Sequence, residues 1–221
     1  VNTLARIKIC CISTIGEARM AIRYGASAIG LVSEMPSGPG VISEDTILEI
    51  AEYTPPGIST FLLTSKQSID DIIEQHRRCR TNAIQLCDRL MIGTHTDLKK
   101  ALPGIKIVQV VHINGEESVK EAKDAAIGAD AILLDSGNQN QNIKELGGTG
   151  KTHDWSISTL ITRSISKPVY LAGGLNSENV VAAIKQVQPF GVDVCSGVRT
   201  NGKIDESKLR RFFAVVRSTE L

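Results

Sequence analysis

The sequence predicts an α/β protein folded as a single (β/α)8 TIM barrel over residues 1–221, and three observations carry that expectation. Eight short β-rich runs alternate with amphipathic segments from end to end, with no linker or low-complexity break. Several runs are almost continuously apolar, as parallel strands covered on both faces must be. A weak repeat also recurs: "GASAIGL" at 25, "RTNAIQL" at 80, "GADAILL" at 128 and "GVDVCSG" at 191, spaced by 55, 48 and 63 residues. Those intervals are about two βα units each, which makes the repeats the even-numbered strands. A doubly wound open sheet is the competing architecture.

The runs follow in order as "ARIKICCI", "AIGLVS", "ISTFLLT", "AIQLC", "KIVQVVHI", "AILLD", "PVYLAGG" and "VDVCSG". Each repeat is read as placing a polar Ser, Asn or Asp just before its strand, and three open with a glycine able to end a helix in a left-handed conformation. Between strands, "SENVVAAIKQV" sets Val180, Ala183, Ile184 and Val187 at i, i+3, i+4, i+7. The last segment, "SKLRRFFAVVRS", repeats the pattern with Leu209, Phe212, Phe213 and Val216.

Composition narrows the function. A net charge of +1 and 4% aromatic residues give neither the basic stripe nor the stacking platform of a nucleic-acid binder, so no nucleic-acid partner is expected. No apolar run approaches a membrane span, and "VNTLARIKICC" lacks the features of a signal peptide, so a cytoplasmic protein with no membrane partner is predicted. The five cysteines form no C-x-x-C pair, and their odd count suits reduced thiols. The four histidines are scattered without ligand spacing and read as surface or loop residues; no metal is expected. Oligomeric state is left open by the sequence.

"ELGGTGKTHDW", residues 145–155, looks at first like a P-loop, but the position five before Gly150, which should be glycine, is Glu145. What remains is a glycine-rich loop whose backbone N–H groups can hold an anion. In a barrel, phosphate binds at the C-terminal strand ends, commonly after strands seven and eight. The glycines after strand six (Gly147, Gly148 and Gly150, with Thr149), Gly173 and Gly174 after strand seven, and Ser196 and Gly197 after strand eight stand there together. Asn176 or Ser177 is expected to cap the following helix, and Ser196 and Gly197 to open a short extra one. A small-molecule, phosphate-bearing substrate is the predicted partner.

Two reactive side chains end other strands. Cys10 closes "IKIC", and period two puts Lys8 and Cys10 on one face with Ile9 and Cys11 on the other. An ammonium beside Cys10 favours the thiolate, the form able to act as a base; the alternative is that Cys10 and Cys11 are small core residues. Asp135 ends "AILLD", where a carboxyl group of raised pKa serves as a general acid; the alternative is a turn with Ser136 and Gly137.

The order "KIC", "QL", "LLD", "GGTGKTHDW", "LAGGLNSENV" and "VDVCSGV" resembles the phosphoribosylanthranilate isomerase family across nearly the whole chain. The resemblance implies conversion of N-(5-phosphoribosyl)anthranilate to the 1-deoxyribulose 5-phosphate, a cofactor-free Amadori rearrangement in tryptophan biosynthesis. It implies Asp135 as the acid that opens the furanose ring and Cys10 as the base that removes the C2 proton. The glycine loops then hold the ribose phosphate of a small-molecule sugar-phosphate substrate.

The departures cluster on the anthranilate side. Cys11 stands where the family has glycine, and Pro39, Gly40 and Val41 stand where it has Pro-Arg-Tyr, so the arginine that pairs with the anthranilate carboxylate is missing. After Gln85 and Leu86 come Cys87 and Asp88 in place of His-Gly, adding a negative charge, and Arg199 replaces a glutamate after strand eight. Lys8, Gln85 and Arg199 are further pocket candidates, with Arg199 otherwise a solvated loop residue; Lys151 and Arg89 are other possible carboxylate partners. Two readings stand beside the leading one: a relative acting on another sugar phosphate, and a non-catalytic barrel that binds a phosphorylated metabolite.

Overall fold

The computed structural model describes residues 5–137 and 152–219. Eight parallel strands close into a barrel in chain order, each neighbour paired with the next and β8 returning to β1. The strands are β1 (Arg6–Ile9), β2 (Ala28–Val32), β3 (Ser59–Thr64), β4 (Ala83–Leu86), β5 (Lys106–His112), β6 (Ala131–Asp135), β7 (Val169–Leu171) and β8 (Gly191–Val194). The helices between and after them are α1 (Ile15–Tyr24), α2 (Glu44–Tyr53), α3 (Ile69–Cys79), α4 (His95–Ala101), α5 (Glu117–Gly128), α6 (Trp155–Ser164), α7 (Val180–Val187) and α8 (Glu206–Arg217). A short 3-10 turn (Ser196–Val198) and a two-stranded hairpin, β9 (Arg199–Thr200) with β10 (Lys203–Ile204), lie between β8 and α8. Among the described residues no helix is long and apolar enough to cross a membrane.

Alternation along each strand sorts the core into two layers. Ile7, Ile9, Ile29, Leu31, Ile132, Leu134, Val192 and Val194 belong to the layer under the helices, where Val180, Ala183, Ile184 and Val187 of α7 meet Leu209, Phe212, Phe213 and Val216 of α8. Both helical faces are those the i, i+3, i+4, i+7 spacing selects, and each of these side chains is at most 2% exposed. Burying each contributes on the order of 2 kcal/mol. The second layer fills the barrel: Ala28, Val32, Phe61, Leu63, Ala83, Val108, Val110, Ala131, Leu133, Tyr170 and Ala172.

At the floor of that interior Lys8, fully buried, donates to Asp193 Oδ2 at 2.9 Å. Its ammonium also lies 5.3 Å from the centre of the Phe61 ring, which meets Tyr170 edge-on at 6.0 Å. Burial opposes the Lys8 charge, but Asp193, with Cys10 and Cys11 adding to it, holds the ammonium above its ordinary pKa.

The repeat has a physical basis in three of its four copies. Ser27 Oγ donates to the Ile7 carbonyl at 3.0 Å, Asn82 Oδ1 accepts from the Thr60 N–H at 2.9 Å, and Asp130 Oδ2 accepts from the Ile107 N–H at 2.9 Å. Each polar residue thus staples the foot of an even strand to the odd strand before it. The fourth copy corrects the expectation: Asp193 lies within β8 and faces the interior, because this strand already starts at Gly191. The glycines are corrected too. Gly25 caps α1 at φ +98°, but Gly128 is the last residue of α5, which is capped by Ala129 at φ −75°, and the left-handed cap of α7 is Gln188 rather than Gly191. Gly191 is instead needed for space, since a Cβ there would meet the Tyr170 ring at 2.8 Å. Nor are the histidines surface or loop residues as a group, for His112 ends β5 and is 3% exposed.

Candidate active site

A pocket opens at the C-terminal ends of the strands, the face on which barrel sites lie. Cys10 and Asp135 both line it, together with Gln85, Cys87, Asp193, Gly173, Gly174, Cys195 and Ser196. These residues come from β1, β4, β6, β7 and β8 or the loops that follow them, so the barrel gathers groups far apart in sequence.

Asp135 is the last residue of β6 and pairs in register with His112 of β5. One of its oxygens accepts the Ser136 N–H at 2.7 Å. Burial dominates and raises the carboxyl pKa, against the opposing pull of His112 and of that N–H. The turn with Ser136 therefore exists alongside the pocket position. Strand alternation from Val108 and Val110 points His112 to the same interior face, a signal that ligand spacing alone does not carry.

Cys10 follows β1, its N–H donating to the Val194 carbonyl at 2.9 Å, and its place facing the interior matches period two. Cys11 does not match. It lines the same pocket because the chain turns there into a left-handed conformation, φ +61°, which brings its side chain round to the pocket. Its thiol shares a hydrogen bond with Cys195, Sγ to Sγ 2.9 Å. The β2α2 loop fits around it: a Cβ on Gly40, itself at φ +79°, would lie 2.5 Å from Cys11 Cβ. The extra side chain at 11 and the bare backbone at 40 are thus two halves of one packing arrangement.

The rim formed after β7 and β8 offers backbone. Gly173 and Gly174 have φ of +83° and +60°, and the 3-10 turn begins at Ser196. Gly197 does not line the pocket; its missing side chain lets the turn press against the Leu175 carbonyl. Asn176 does not cap α7 as expected: it accepts from the Glu178 and Asn179 N–H groups at 2.8 and 3.2 Å in the turn before the helix, whose N-cap is Asn179. Gly147, Gly148, Thr149, Gly150 and Lys151 lie outside the described residues.

Two cationic pocket candidates are used elsewhere. Lys8 sits beneath the pocket, committed to Asp193. Arg199 is neither a pocket residue nor a solvated one: 8% exposed, it pairs with Glu17 at 2.9 Å and donates to the carbonyls of Cys10 and Cys11 at 3.2 and 2.6 Å. It braces the backbone that carries both cysteines. Arg89 pairs with Glu121 at 2.9 Å on the surface. Gln85 does line the pocket, and its Oε1 has no hydrogen-bond partner among the described residues. Cys87 lines it as well, its thiol pushed up to about 12 by burial, whereas Asp88 is buried outside the lining.

Comparison with known proteins agrees with this arrangement. The family described as N-(5'phosphoribosyl)anthranilate (PRA) isomerase matches residues 7–215. An N-(5'-phosphoribosyl)anthranilate isomerase of Methanocella arvoryzae is 32% identical over 98% of the chain and all of its own length. N-(5'-phosphoribosyl)anthranilate isomerase 2 of Methanosarcina mazei is 36% identical over 94% of the chain and 92% of its own. Among solved structures, a phosphoribosyl anthranilate isomerase in complex with reduced 1-(o-carboxyphenylamino)-1-deoxyribulose 5-phosphate superposes with a TM-score of 0.77 at 27% identity, covering 96% of this chain and 98% of that one.

Proposed function

The chain belongs to the N-(5'-phosphoribosyl)anthranilate isomerase family, and on that premise we propose that it carries out the family's rearrangement with Asp135 as general acid and Cys10 as general base. The reaction is an internal aldose-to-ketose shift in tryptophan biosynthesis, so hydrogen moves within the substrate and no external reductant is consumed. Asp135 protonates the furanose ring oxygen, the C1–O bond breaks, and the anthranilate nitrogen is left as a protonated Schiff base. Cys10 as thiolate removes the C2 proton, and the electron pair moves toward nitrogen to give the enolamine. Tautomerisation yields 1-(2-carboxyphenylamino)-1-deoxyribulose 5-phosphate.

The observation that carries the reading is that Cys10 and Asp135, at the ends of β1 and β6, line one pocket. Burial supports the acid role, because it raises the Asp135 pKa and so favours the protonated form more than exposure would. The left-handed glycines at 173 and 174, with Ser196, suit the substrate phosphate, and Gly148, Thr149 and Gly150 belong to the same proposal. The aromatic half then meets the wall of Met35, Gly38 and Pro39. The described cysteines hold no disulfide, which suits a reducing compartment and supports a cytoplasmic location.

The test follows the loss of anthranilate-type fluorescence when freshly generated phosphoribosylanthranilate meets the purified protein. Turnover should fall about 10²- to 10⁴-fold in Cys10→Ser and in Asp135→Asn, the usual reach of acid–base groups. Undiminished turnover in either folded variant removes that residue from its role.

A further inference from the structure

Cys11 and Cys195 come from opposite ends of the chain and meet at the pocket mouth. Their sulfurs lie 2.9 Å apart, one on the loop after β1 and the other on the loop after β8. Both line the pocket, and Cys195 is partly exposed. A disulfide needs a sulfur separation of about 2.05 Å, so under an ångström of further approach closes the bond. The proposed isomerisation uses neither thiol.

We infer that Cys11 and Cys195 form an oxidation site, at which a peroxide joins them in a disulfide across the pocket mouth and holds the isomerase in a slow state until a thiol reductant opens it. The thiolate of Cys195 attacks one peroxide oxygen; the O–O bond breaks, hydroxide leaves and takes up a proton, and Cys195 becomes a sulfenic acid. The Cys11 sulfur then attacks the Cys195 sulfur, the S–O bond breaks, and the departing oxygen leaves as water with the Cys11 proton. The two thiols lose two electrons and two protons, and hydrogen peroxide becomes two waters.

The two cysteines are unequal in the way this sequence needs. Cys195 is the better thiolate, its pKa lowered by the hydrogen bond it shares with Cys11 and by the nearby Arg199 guanidinium. Cys11 keeps its proton, its pKa raised by hydrogen bonding with Cys10 and with Cys195 and by burial. The attacking and resolving roles are therefore divided before any oxidant arrives.

The slow state follows from what each sulfur is attached to. Cys11 is bonded directly to Cys10, and Arg199 holds both of their carbonyls. Cys195 is bonded to Ser196, at the start of the rim that offers its backbone to the pocket. A covalent bond between the loops draws the position of the base toward that rim, and a displacement near 1 Å costs about a hundredfold in rate.

Purified full-length protein treated with hydrogen peroxide, alkylated and digested without reductant decides the matter by mass. The expected product is 2 Da lighter by the loss of two hydrogens and links the segment holding Cys11 to the one holding Cys195. The link should persist in Cys10→Ser, which separates Cys11 from its neighbour, and vanish in Cys11→Ser and in Cys195→Ser. In the parent chain turnover should drop about a hundredfold as the link forms and return with dithiothreitol. A link between any other pair, oxygen addition without a link, or a complete link with unchanged turnover overturns the proposal. The mass readout is independent of which residues serve as acid and base, so failure of that assignment and failure of this one are distinguishable.

Discussion

Asp135 works against the fold that holds it. Its carboxyl pKa is raised chiefly by burial, so folding shifts the balance toward the protonated form relative to an exposed carboxyl. A folded-state pKa above the unfolded one means the group's stabilising contribution is complete below the unfolded value and is lost as pH rises through the folded value. At neutral pH ionisation therefore costs stability, and Asp135→Asn should unfold at a higher temperature than the parent while losing turnover. The gain should disappear as the solution is acidified below the ordinary carboxylate value of 3.8, where both forms are neutral; thermal melts across that range check it, and an equal gain at every pH contradicts the burial account. Asp135 and Cys10 were legible in the sequence because a polar residue ending an apolar run must face the barrel mouth. The commitment of Lys8 is not legible in the sequence, because its partner Asp193 is 185 residues away and reads there as a strand flank.

The hairpin of β9 and β10 gives the second scale, since it carries Arg199 back under the loop after β1. Glu17 of α1 is the hub of that contact, accepting from Arg199, from the Ile204 N–H at 3.0 Å and from the Ser13 N–H at 3.0 Å. Burial pushes its pKa up, but the Arg199 hydrogen bond and the two backbone donors prevail and leave it below the ordinary 4.5. A depressed pKa stabilises the fold above the unfolded value, and that contribution is lost as pH falls through the folded value. Glu17→Gln should therefore lower the urea midpoint at neutral pH, with the gap from the parent closing progressively below pH 4.5. A gap independent of pH would assign the loss to packing. Strands of two residues leave no periodicity to read, so the hairpin and the buried place of Arg199 were invisible in the sequence. The eight barrel strands were visible because burial on both faces makes them apolar throughout.

At the scale of the molecule, closure depends on β8 returning to β1 and on α8 covering the seam against α1 and α7. Phe212 is fully buried there. Phe212→Ala should cost about 3–5 kcal/mol, lowering the melting temperature by roughly 6–20 °C for a chain of this size. A shift below that range, read by calorimetry, would show that the seam refills the cavity. The barrel itself could be read from repeat and alternation, but the mouth could not, because its loops are placed by contacts such as Gly40 against Cys11 that bridge separate units. The staples at Ser27, Asn82 and Asp130 have a consequence for how such a chain can be divided. They join strands two by two, so a backbone cut between α4 and β5 leaves every staple within one fragment, whereas a cut between α3 and β4 parts Asn82 from Thr60. The smallest inheritable piece of this architecture is accordingly a pair of strands, and recombination that respects the pairs keeps the foot of the barrel sewn.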